Sequence, residues 1–60
     1  MNYQEAKIVL QAALDGNEAL AEYCEEANGL QKTEAYCREQ AQALRLAVRA
    51  VDILLEQGAD

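Results

Sequence analysis

The chain has 60 residues, 11 acidic and 5 basic, for a formal charge of −6. It is one domain at most, and a lone chain of this size buries only about 60% of the surface that it exposes when unfolded. With no His, no Ser and three isolated glycines, it offers no His-based nucleophile pair, no glycine-rich phosphate loop and no Cys–His zinc set.

These absences predict a non-enzymatic protein with no metal and no cofactor. The acidic balance disfavours direct nucleic-acid binding and docking on anionic membrane. No apolar run approaches the ~20 residues of a membrane span. The opening "MNYQEAKIVLQAAL" lacks the basic region of a secretory signal, so a cytoplasmic location with reduced thiols is expected.

Asn2 followed by Glu5 has the spacing of a reciprocal helix cap, and strong helix formers follow. The first helix is expected over 3–28. Gly16, between Asp15 and Asn17, is a candidate break because Asp15 and Glu18 repeat the cap spacing, but one continuous or kinked helix is expected. Against a break, Tyr3, Ala6, Leu10, Ala13, Asn17, Leu20, Cys24 and Ala27 keep an alternating 3,4 spacing straight through it. Asn17 falls on that stripe, either setting register or capping a second segment. Asp15, Glu18, Glu22 and Glu25 form a row expected opposite the stripe, as a solvated face or as a ridge for a basic partner.

Asn28-Gly29 is a helix stop, with Leu30 the hydrophobic contact after it. Thr33 is the expected cap of a second helix over 33–57, ended by Gly58. Its stripe is Cys37, Ala41, Leu44, Val48, Val51 and Leu55. Folding at the turn pairs positions whose numbers sum to 61: Cys24 with Cys37, Leu20 with Ala41, Asn17 with Leu44, Ala13 with Val48, Leu10 with Val51 and Ala6 with Leu55. The expected fold is all-α, an antiparallel two-helix hairpin over residues 1–60 with Cys24 and Cys37 as the layer nearest the turn. The two cysteines are read as small buried hydrophobes, as a disulfide closing a 14-residue loop (24 to 37), or as a redox pair.

The second helix carries more apolar surface than one neighbour covers, since a single partner helix shields roughly a 100° stripe. Leu46, Ala50 and Ile53 are left over, with Ile8 and Leu14 as flanking surplus on the first helix. These five residues are the expected oligomer interface of a homodimeric four-helix bundle. The architecture resembles that of small plasmid Rop-type dimers, a likeness of fold that carries no functional residue over. The expected function is protein–protein binding by a self-associating regulator, adaptor or inhibitor, acting on itself and on a protein partner that the sequence does not identify. Two other readings stand beside it: an acidic decoy for a basic nucleic-acid-binding groove, and a bundle that binds a small ligand.

Overall fold

A computed structural model describes residues 1–59. Asp60, the last residue of the expected domain, lies outside the described residues. Helix α1 spans Tyr3–Ala27 and helix α2 spans Gln31–Glu56. Asn2 caps α1, its Oδ1 accepting from the Glu5 N–H at 2.8 Å. α1 runs without interruption through Gly16, where a Cβ would meet nothing within 4 Å. An isolated glycine weakens a helix by only about 1 kcal/mol, and that is too little to break one held along its length.

The turn depends on two successive residues of positive φ, Asn28 at φ 57° and Gly29 at φ 82°. Glycine adopts positive φ freely, whereas Asn28, with ψ 142°, lies outside the left-handed helical well. α2 starts earlier than the sequence suggests. Leu30 is its N-cap and has no side-chain cap bond, while its carbonyl accepts from the Glu34 N–H at 2.9 Å. Thr33 therefore lies inside the first turn and does not cap the helix. Gly58, at φ 86°, closes the far end. Its N–H donates to the Leu55 carbonyl at 3.0 Å, and the Ala59 N–H donates to the Leu54 carbonyl at 3.0 Å. That pair of bonds is the Schellman motif, which satisfies the last carbonyls of the helix.

The two helices pack as an antiparallel hairpin measuring 45 × 14 × 13 Å. Interhelical ion pairs report the register: Glu25–Arg38, Glu18–Arg45 and Lys7–Asp52. Their residue numbers total 63, 63 and 59, on either side of the expected 61. The buried seam consists of Leu14, Ala21, Cys24, Cys37, Ala41 and Val48. Leu10, Asn17, Leu44, Val51 and Leu55 stand half-buried beside it.

The phase of α1 differs from the expected one. Leu10, Asn17 and Cys24 face α2 as anticipated, but Leu14 and Ala21 alternate with them, and Ala13, Leu20 and Ala27 are exposed. Near the turn the seam is filled by Ala21, Cys24, Cys37 and Ala41, and side chains this small let two helices approach closely. The larger Leu20 is turned outward. Asn17 neither caps a segment nor reaches across to α2. Its Nδ2 donates to the Ala13 carbonyl of its own helix at 2.9 Å, a local bond that satisfies the amide at the edge of the core.

Candidate interaction surface

At about 100° per residue, a helix in a hairpin has one side on the seam, one facing away from it, and two others. Those two others join across both helices to make the broad faces of the hairpin. One broad face is charged. α1 contributes Lys7, Glu18, Glu22 and Glu25 to it, and α2 contributes Arg38, Arg45, Arg49, Asp52 and Glu56. Lys7 Nζ lies 2.6 Å from Asp52 Oδ1. Arg38 binds two carboxylates at once, Glu34 through Nε and Glu25 through Nη2, both at 2.8 Å. The hydrogen bond to Glu34 is the main reason that the Arg38 guanidinium is held above its ordinary pKa. Arg45 Nη2 bonds Glu18.

The expected acidic row is therefore not opposite the core. It flanks the seam, because the seam passes through Leu14 and Ala21, and Glu18 and Glu25 follow these by one helical turn. Two of its four members are engaged by arginines of α2, and Asp15 accepts from the Gln11 amide at 3.1 Å. Glu18 and Glu25 are thus tied to α2, while Glu22 is exposed.

The opposite broad face carries no charge at its centre. It consists of Val9, Ala13, Gly16 and Leu20 from α1 with Tyr36, Gln40, Ala43, Ala47 and Leu54 from α2. Val9, Leu20 and Tyr36 are 55%, 47% and 63% exposed, so the face is open in the single chain. The surface of the chain is 4447 Å², against about 3,900 Å² for a compact monomer of the same 6.6 kDa mass.

The expected interface residues do not form one surface. Leu14 is 6% exposed and belongs to the hairpin's own core. Ile8, at 62%, lies on the outer edge of α1, whereas Leu46 and Ile53, at 66% and 46%, lie on the outer edge of α2. Both helices separate these two edges. Ala50 stands between the α2 edge and the uncharged face. Each of these residues is surplus only to its own helix taken alone. The sequence signal for the uncharged face is the converse one, the side from which charge is missing on both helices at once.

Cys24 and Cys37 are both free and buried. They lie close enough for the Cys37 thiol to act on Cys24, whose pKa is raised above its ordinary value, first by burial and then by Cys37 and Glu34. Both thiols are packed as small hydrophobes, the first of the three readings, and no disulfide joins them in this structure. Beside them Ala21 and Ala41 floor an open groove of about 280 Å³ whose walls are Glu18, Arg38, Gln42 and Arg45. That is just under the usual size of a small-ligand pocket. Among the described residues no three His, Cys, Asp or Glu side chains gather as a metal-ligand set, and no helix is long and apolar enough to cross a membrane. Comparison with protein-family models, with curated proteins and with solved structures finds no match.

Proposed function

We propose that this chain is a non-enzymatic helix-packing protein that works by association, forming a homodimeric four-helix bundle and acting on a protein partner as a small regulator, adaptor or inhibitor. The observation that carries the reading is the uncharged broad face spanning both helices, left open by a hairpin whose buried seam holds six side chains. A seam of that size, built mainly of Ala, Cys and Val with one Leu, is a small core for 60 residues. A second layer of helices would complete it. Free, buried thiols fit a reducing compartment such as the cytoplasm.

Thermal unfolding followed by circular dichroism at several concentrations tests this. If folding and association are linked, a 100-fold rise in concentration stabilises the folded state by about 2.7 kcal/mol, and the midpoint rises by several degrees. A fully helical protein whose midpoint does not change over that range counts against the reading.

A further inference from the structure

We propose that the uncharged broad face is closed by a second copy of this chain, laid face to face with its turn at the opposite end. The inference rests on the self-association reading and adds the surface and the orientation.

The surface follows from charge. Six of the nine charged residues named on the charged face are paired within one chain, and pressing two such faces together would desolvate those pairs. The uncharged face meets its own copy without like-charge contact. Its footprint also suffices. A side of 45 × 14 Å projects about 630 Å², and side-chain relief adds to this. That is close to the ~800 Å² that each partner buries in a stable interface.

The orientation follows from side-chain size. In a two-fold contact with the turns at opposite ends, α1 lies on the partner's α1 and α2 on the partner's α2, both antiparallel. One register then serves the whole face. On α1 it sets Val9 against Leu20 and Ala13 against Gly16. On α2 it sets Tyr36 against Leu54 and Ala43 against Ala47. Small residues meet at the centre, where the helices cross closest, and large ones meet at both ends. The midpoints of these two registers, between Ala13 and Gly16 and between Ala43 and Ala47, lie at the same level of the hairpin. The contact is isologous, each residue meeting its counterpart twice.

Charge along the long axis agrees. Residues 15–46, the turn half, carry seven acidic and three basic side chains, a net −4, and the remaining residues carry −2. Turns at the same end would bring the two strongly acidic halves together, within reach of unscreened repulsion. Turns at opposite ends separate them.

Amine crosslinking of the unmodified protein, as a mixture of unlabelled and nitrogen-15-labelled chains, reads the orientation. Lys32 stands at the turn, and Lys7 and the Met1 α-amine stand at the open end. Links between chains from Lys32 to Met1 or Lys7 are expected, and Lys32–Lys32 links between chains would overturn the orientation. Charge substitutions read the surface. Leu20→Glu and Ala47→Glu should weaken association about 100-fold or more, while Ile8→Glu and Leu46→Glu leave it intact. Dissociation by Leu46→Glu with no effect of Leu20→Glu would move the interface to the outer edge and overturn this proposal while self-association stands. A native chain that stays folded and monomeric throughout would overturn both.

Discussion

The two broad faces of this hairpin are built from the same two helices, yet they solve opposite problems. On the charged face, Glu18 and Glu25 reach across to Arg45 and Arg38, and Lys7 reaches Asp52. Every one of these pairs is solvent-exposed, so each is a modest contributor to stability, but together they fix which helix edge lies beside which. On the uncharged face, Val9, Leu20 and Tyr36 remain in water at a cost that no ion pair offsets. One face pairs most of its charges within the chain, and the other carries no charge at its centre. The proposed assembly surface is therefore read from segregated charge and not from the count of apolar residues, which is high on every side of α2 except the charged one.

Substitutions sharpen that contrast in order of size. The largest effect belongs to the seam beneath both faces. Leu14→Ala should cost about 3 kcal/mol in chemical denaturation, while Ile8→Ala on the outer edge of α1 changes stability by no more than about 0.5 kcal/mol. Equal costs would mean that the edge is covered and that the two-face description is wrong.

Gly16 comes next. An added Cβ meets nothing within 4 Å in the single hairpin, so Gly16→Ala on an open face gains about 1 kcal/mol of helix stability. Beneath a second copy, the methyl group competes with the partner's Ala13 and the gain shrinks towards zero. A full gain at concentrations where the protein is paired would show that the middle of the face is open.

On the charged face, Glu18→Gln removes one exposed ion pair and costs at most about 1 kcal/mol. The difference from the native protein should vanish near 1 M salt, where the Debye length falls to about 3 Å. A cost that persists in salt would mean that Glu18 does more than pair with Arg45.

The smallest effect is the alkaline limb of the pH profile. The Cys24 pKa is raised in the folded chain, so the thiol loses its proton more readily once unfolded. Its contribution is complete below the ordinary thiol pKa of about 8.5 and is lost as pH rises through the folded value. Alkylation of Cys24 should accordingly be slow at neutral pH and accelerate with unfolding. Rapid labelling of both cysteines in the native protein at neutral pH would contradict their burial.

Much of the hairpin was legible in the sequence because its signals are local. Asn2 with Glu5, Asn28 with Gly29, and Gly58 each act within one turn of chain, and the register follows once the turn is placed. The seam of α1 was not legible to one residue. Ala13-Leu14 and Leu20-Ala21 are adjacent apolar pairs, and both members fit a 3,4 spacing with Leu10, Asn17 and Cys24. Packing against Ala41 and the cysteines decides between them by size, and that depends on how closely the helices approach. The start of α2 at Gln31 escaped for a related reason: Leu30 carries no side-chain cap, so no residue type announces it. The acidic row lies on one uninterrupted helix. Its place beside the arginines of α2 followed only once Leu14 and Ala21 were known to face inward.

Sedimentation equilibrium of the native protein at micromolar concentration tests the central claim most directly, namely that a second copy completes this hairpin. The predicted result is a folded, helical species of about 13.2 kDa, twice the 6.6 kDa of one chain, that dissociates with loss of helicity on dilution. A species of 6.6 kDa that keeps its full helicity at every concentration would contradict it.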